Sequence, residues 1–275
     1  MLTLSLAEDI LDQAADSGVS EVRLFLAGEP LLHPNISELI SLVSERKLKS
    51  VIHTNAMLLS EDMSSAILRA GLSEISFSVN GITSHEVSGN QPGADLDTMI
   101  TNIRSFLAQS HAIQGSRTSS ILQIIRSDHF ARRGETRRFI RKAFTREKPD
   151  GILLLEPHSW SGQLTSCHTD RKHDVYHPCQ PLWQGMSIAW DGRVFLCCGD
   201  LNGTVPVGDM RQDPLMDIWL GTELMEARRA VSADNRSERP LCSNCDAVWW
   251  STHPFLADIR RAAWRLTGGL AGRNR

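Results

Sequence analysis

Six cysteines fall between positions 167 and 245, and none precedes them. Thiolates are soft donors that hold zinc, or the iron of an iron–sulphur cluster, when four converge, and two of the four usually come from one short turn. Cys242-Ser-Asn-Cys245 is such a turn. Seventeen residues lie between Cys179 and Cys197, with Asp191-Gly192 among them. Asp-Gly is a strong hairpin signal because the turn needs positive φ, so the returning strand can aim Cys197 at the knuckle. These four residues, Cys179, Cys197, Cys242 and Cys245, are the expected metal ligands. Cys198 adjoins Cys197, and neighbours on a strand point opposite ways, so it is expected as a packed thiol or alternate. Cys167 is expected as a spare loop thiol. Four cysteines suit structural zinc as well as an iron–sulphur cluster, and the spacing leaves both open. No secretion signal argues for a disulfide framework, since cytosolic thiols stay reduced.

A second set of chemically able residues lies earlier, at points where apolar runs stop. Ala27-Gly28-Glu29-Pro30-Leu31 follows one run, Thr54-Asn55 ends another, and Ser78 precedes Asn80-Gly81 in a third. Any one of these is ordinary loop punctuation. The ordered recurrence is what points to a site.

The elements that position these groups alternate. Helical periodicity over Leu4–Ala15 gives way to a strand signal at Glu21–Leu26, then a helix over about 35–46 and a strand at Ser50–Thr54. A helix at Ser60–Ala70 is stopped by Gly71, and a strand follows at Glu74–Val79. Helices near 96–109 and 135–144 flank a strand at Ser119–Ile125, and a last strand lies at Gly151–Glu156. Such alternation predicts a parallel sheet with right-handed crossovers, either open and doubly wound or part of a barrel. In both, ligands bind at the carboxyl ends of the strands, where the polar residues recur. Arg126, Glu156 and His158 also lie near strand ends, and a structural role is the commoner one for such residues. After Pro157 the pattern changes: Ser159–Gly162 reads as a linker, Met186–Trp190 and Arg193–Cys197 as a hairpin, and a helix is expected to begin at Asp213-Pro214 and lead to the knuckle. The boundaries expected are 1–160, 161–252 and a basic tail over 253–275.

A net charge of −3 gives no global reason to expect a nucleic acid or an acidic membrane as partner. The acidic residues of the first 18 positions do not fit a signal peptide, and no apolar stretch reaches the length of a membrane span. A cytoplasmic location is the expectation.

Leu26–Pro34, His53-Thr-Asn55 and Glu74–Gly81 resemble the successive strand ends of radical S-adenosylmethionine enzymes. Cys179-x12-Gly192-x4-Cys197, with Asp217-Ile-Trp219 and Cys242-x2-Cys245 downstream, resembles the SPASM/twitch module that follows many of them. The spacing is similar to the single-cluster arrangement of the aminocyclitol dehydrogenases. The resemblance spans about residues 20–246. It implies an α/β fold, a partial (β/α)6 barrel lacking its first strand, followed by a small iron–sulphur domain. It tilts the metal from zinc to an auxiliary 4Fe-4S cluster. It implies that Gly28, Glu29 and Pro30 hold the methionine amino group of S-adenosylmethionine, that Thr54, Asn55 and Ser78 lie near its carboxylate and ribose, and that backbone of 153–156 faces the adenine. The implied activity is an oxidoreductase acting on a small hydroxylated metabolite or a peptide, with a flavodoxin or ferredoxin as electron donor. The sequence departs from the family in one respect: the Cys-x3-Cys-x2-Cys loop that holds the S-adenosylmethionine-cleaving cluster is not among these residues. The reading therefore keeps two alternatives, a start placed too late and a truncated relative that serves as a non-catalytic iron–sulphur or zinc protein.

Overall fold

The computed structural model describes residues 1–113, 118–125, 133–155, 157, 160–161, 175–176, 179–243, 245 and 249–250. They belong to two compact units, Gly18–Pro157 and Met1–Ser17 with His158–Arg275. In chain order the elements begin with α1 (Leu4–Asp16), β1 (Glu21–Arg23), α2 (Ile36–Glu45), β2 (Lys49–Thr54), α3 (Glu61–Arg69) and β3 (Glu74–Val79). They continue with α4 (Ser84–Asn90), α5 (Leu96–Ala112), β4 (Ser119–Ile125), α6 (Arg133–Ala143) and β5 (Gly151–Leu155). The later part adds β6 (Val175–Tyr176), α7 (Pro181–Gln184), β7 (Ser187–Ile188), β8 (Arg193–Phe195) and β9 (Pro206–Asp209). It ends with α8 (Leu215–Trp219), α9 (Thr222–Ser232), α10 (Pro240–Ser243) and β10 (Trp249–Trp250).

In the Gly18–Pro157 unit the five strands pair in parallel in the order β1-β2-β3-β4-β5. A doubly wound sheet needs a point where strand order reverses. Here the order is sequential throughout, so successive right-handed crossovers put the helices on one face. That is barrel-like winding, and it resolves what periodicity left open. Register then sorts the side chains. Ile52, Ile75, Phe77, Leu122, Ile124 and Leu154 share the face that packs on Ile36 and Ile40 of α2, Ile67 of α3, and Met99, Ile103 and Phe106 of α5. The other face carries His53, Ser76 and Ile121 in one row and Ser78, Gln123 and Leu153 in the next.

The helices start where the caps predict. Ser60 Oγ accepts from the Met63 N–H, and Asp95 Oδ1 accepts from the Thr98 N–H at 2.8 Å. Thr83 and Glu86 form a reciprocal capping box that starts α4, a helix the periodicity did not suggest. The amino ends of the strands are closed by small polar pairs. The N–H groups of Ser50 and Ser73 donate to one another's hydroxyls at 3.2 and 3.1 Å, and Asp150 accepts from the N–H and hydroxyl of Ser120 at 2.8 Å each. These pairs tie that end of the sheet together, opposite the carboxyl ends where a ligand is expected.

In the other unit, β7, β8 and β9 form an antiparallel sheet, and Gly192 takes φ +90° in the expected hairpin turn. The helix expected from Asp213 onward is several pieces. Pro214 sits at the cap of α8 rather than inside it, and the Leu215 N–H donates to Gln13 Oε1 of α1 at 2.7 Å. Helix α8 ends at Trp219, and at Gly221, which caps α9, an added Cβ would meet the carbonyls of Asp217 and Ile218 at 3.1 Å. A 3-10 turn at Arg236–Glu238 then separates α9 from α10. The core here is Leu182, Leu196, Leu224, Ala227, Val231 and Leu241, and Cys179, Cys197 and Cys242 pack against it. Arg126, Glu156, His158, Cys167 and the tail over 253–275 lie outside the described residues. Among the described residues, no helix is long and apolar enough to cross a membrane.

Candidate functional site

At the carboxyl end of β1 the chain turns through Gly28 into a 3-10 helix, Pro30–Leu32, with Pro30 and Leu31 buried. Glu29 caps that turn: its Oε1 accepts from the Leu31 N–H at 3.1 Å. Its Oε2 accepts from the Asn55 N–H at 2.9 Å, so one carboxylate ties the loop after β1 to the loop after β2. Each oxygen keeps a lone pair for another donor. A Cβ at Gly28 would meet no other atom within 4 Å, so the chain itself leaves the space over that backbone open.

Thr54 and Asn55 divide their tasks. Thr54 shares the helix-covered face with its register partner Phe77, is 1% exposed, and accepts from the Ala56 N–H at 3.0 Å. Asn55 Oδ1 accepts from the Met57 N–H at 2.9 Å. Between them and α3, Ala56 holds φ +62°, and its carbonyl accepts from Asn102 Nδ2 of α5 at 2.8 Å. Ser78 lies on the other face of the sheet, opposite Gln123.

Two groups at this sheet were not singled out from the sequence as site residues. Ser76 Oγ and Asn80 Oδ1 are buried with no hydrogen-bond partner among the described residues. Buried polar atoms are nearly always paired, so such orphans mark places where a ligand or water completes the bonding. The Ile75-Ser-Phe-Ser-Val79 alternation was the available signal, because it places a hydroxyl on every second position.

The four cysteines come from three places. Cys179 precedes α7, and its sulphur accepts from the Leu182 N–H. Cys197 follows β8, and its sulphur accepts from the Gly199 N–H. Cys242 lies on α10, and the Cys245 N–H donates to the Cys242 carbonyl at 3.2 Å, closing the knuckle. All four are half-buried. Burial, then the neighbouring Cys197 and Cys245, push the Cys179 thiol up to about 12. Burial, together with Cys198, Cys245 and Cys242, pushes Cys197 up to about 12 as well. The sulphurs therefore lie within one another's fields. Gathered thiols of this kind stay protonated unless a bound cation compensates the thiolates. Among the described residues, no three Cys, His, Asp or Glu side chains are gathered closely enough to hold a single metal ion. Cys198 is exposed, so of the two expectations for it, a packed thiol or an alternate ligand, the first is corrected.

Three polar residues that the sequence did not advertise build this site. Asp200 is fully buried, and its carboxylate accepts from the N–H and hydroxyl of Thr204 at 2.9 Å each and from the Val205 N–H at 2.8 Å. The loop carrying Cys197 is thereby fixed. Arg228 of α9 is 7% exposed and donates to the Leu182 and Trp219 carbonyls. Arg236 donates to the carbonyl of Cys245 at 3.1 Å.

Residues 179–246 match the model of SPASM, an iron-sulfur cluster-binding domain. A stretch of 74 residues is 39% identical to the PqqA peptide cyclase of Gluconobacter oxydans (strain 621H), covering 27% of this chain and 20% of the relative. That match spans about a fifth of the relative's length. Among solved structures, BtrN in complex with AdoMet and 2-DOIA is similar at a TM-score of 0.60 and 15% identity, over 89% of this chain and 80% of that one. SuiB of Streptococcus suis bound to the precursor peptide SuiA is similar at 0.65 and 17%, over 82% and 60%. These likenesses give the fold: a five-stranded parallel α/β sheet of the same type, followed by a small C-terminal domain.

Proposed function

We propose that this chain, a radical S-adenosylmethionine protein with a SPASM module, holds one auxiliary 4Fe-4S cluster on Cys179, Cys197, Cys242 and Cys245 and modifies a peptide. One observation carries the cluster: four half-buried cysteines, drawn from three places, within which burial and the neighbouring sulphurs push the Cys179, Cys197 and Cys242 thiols up. Four thiolates around one zinc at 2.3 Å stand ~3.8 Å apart, whereas a cubane gives each thiolate its own iron and spreads them further. When bound, such a cluster supplies one-electron chemistry.

S-adenosylmethionine fits the carboxyl ends of β1, β2 and β3. Glu29 offers its spare lone pairs to an ammonium, and Gly28 leaves its backbone approachable. Asn80 Oδ1 and Ser78 offer hydroxyl-binding groups. Of the earlier set, Thr54 acts on this reading from behind, by holding Ala56. The cluster that cleaves S-adenosylmethionine does not fit these residues, since no cysteine precedes Cys167.

A peptide substrate is supported by the relatives, one named a peptide cyclase and one solved with a precursor peptide. A small hydroxylated metabolite is the second reading, supported by the likeness to BtrN with 2-DOIA. An oxidoreductase role, a flavodoxin or ferredoxin as donor and a cytoplasmic location complete the proposal. Anaerobic reconstitution followed by metal analysis tests the centre. About four irons and four sulphides per chain are expected, and a Cys245→Ala chain is expected to lose them. A colourless protein holding one zinc would instead support a non-catalytic zinc module.

A further inference from the structure

The segment from Arg236 to Cys245 folds back on itself. The carbonyl of Arg239 accepts the N–H groups of Cys242 and Ser243 at 2.9 Å each, and the Arg239 N–H donates to the Arg236 carbonyl at 3.0 Å. Arg236 then spans the segment: its Nη1 reaches the carbonyl of Cys245 at 3.1 Å, and its side chain is only 14% exposed. Its Nε lies 3.6 Å from Oδ1 of Asp234, a carboxylate that is 56% exposed and so largely in water. Arg239 is held differently, by Glu226 at 3.2 Å and Glu223 at 4.0 Å.

We propose that Arg236 is a positioning residue for the auxiliary centre, clamping the Cys242–Cys245 knuckle and setting the centre's reduction potential through a permanent positive charge beside it. This rests on the cluster reading above. A cluster with four thiolates is anionic and gains a further negative charge on reduction, so a fixed cation favours the reduced form and raises the potential. A guanidinium suits the task because it stays charged at every accessible pH and donates in a rigid fork.

The test is the midpoint potential of the reconstituted full chain, read by redox titration with electron paramagnetic resonance. R236Q is expected to retain iron and titrate at a more negative potential than wild type. R236K keeps the charge but loses the fork, so it is expected to titrate near wild type while releasing iron faster to a chelator. D234N removes an exposed carboxylate that pairs with Arg236 but makes no contact with the knuckle carbonyl, so it is expected to shift the potential upward at low salt, and it serves if R236Q does not fold. Unchanged potentials in R236Q and D234N overturn the inference, as does an equal fall in R236Q and R236K. A wild-type chain that takes up no iron–sulphur chromophore defeats the cluster reading beneath it instead.

Discussion

The guanidinium of Arg228 lies 4.0 Å from the centre of the Trp219 ring, and its Nε donates to the Leu182 carbonyl at 2.9 Å. One buried cation thus fastens α7, next to Cys179, to α8 and α9. Its Nη1 also donates to the Trp219 carbonyl at 2.8 Å, so the ring and the carbonyl of one residue are gripped together. Arg228→Met keeps much of the apolar stem but strips the donors from two carbonyls. A loss of about 2–3 kcal/mol in a urea melt is expected. Lysine is not expected to rescue it, because a point charge cannot reproduce the fork. An Arg228→Met chain as stable as wild type would contradict the clamp.

The sheet was legible because its signals are local. Strand periodicity, Gly71 and the Ser60 cap each act within a few residues, and β3 and β4 have the expected bounds. Thr54 was harder: proximity to a strand end suggested a ligand contact, but its register partner is Phe77, and register is a property of the pairing rather than of the strand. Arg228 was invisible for a related reason. On a helix an arginine reads as a solvated charge, and only the packing of α9 on α7 buries it. Asp200 likewise looks like an ordinary turn residue until its three donors are in place. The cysteine knuckle was legible from spacing alone, but not the arginine beneath it.

Asp200→Asn tests the loop that carries Cys197. The amide keeps the shape, but its NH2 must face an N–H or a hydroxyl that formerly donated to a carboxylate. The expected cost is about 2–3 kcal/mol, from lost charge-assisted bonds and buried unsatisfied donors. Reconstituted iron content is expected to fall with it, measured against wild type after identical anaerobic treatment.

His53 stacks on Phe25 at a centroid distance of 3.9 Å. Burial, then the charge of Arg23, lower its pKa from 6.5 to about 4, against a smaller opposing pull from Glu21. Between those values the unfolded chain binds a proton that the folded chain does not. Stability therefore rises as pH increases from about 4 to 6.5 and is flat above that. The full effect is on the order of 3 kcal/mol. Urea midpoints across this window should slope for wild type and flatten for His53→Gln; parallel slopes would sink the assignment.

Ala56 is fully buried at φ +62°, a conformation that costs a residue with a Cβ roughly 1 kcal/mol. Ala56→Gly removes that cost but frees the unfolded chain, so the net gain expected is a few tenths to about 1 kcal/mol. Calorimetry should show a slightly raised Tm. A lowered Tm would mean that the methyl group's packing outweighs the strain.

Glu29→Gln separates the two tasks of that carboxylate. In the fold it joins the loops after β1 and β2 through the N–H groups of Leu31 and Asn55. The amide can accept on only one side, so one of those bonds is lost, at about 1–2 kcal/mol. In the proposed site it also supplies the charge for an ammonium, and losing a charge-assisted hydrogen bond is expected to weaken S-adenosylmethionine by roughly 10-fold. Calorimetric titration alongside a thermal melt distinguishes the two. A chain that melts lower yet binds S-adenosylmethionine as tightly as wild type would leave Glu29 as a strut between loops, and the ammonium would have to be held by backbone carbonyls. A chain that melts like wild type but binds weakly would place its importance in the ligand alone.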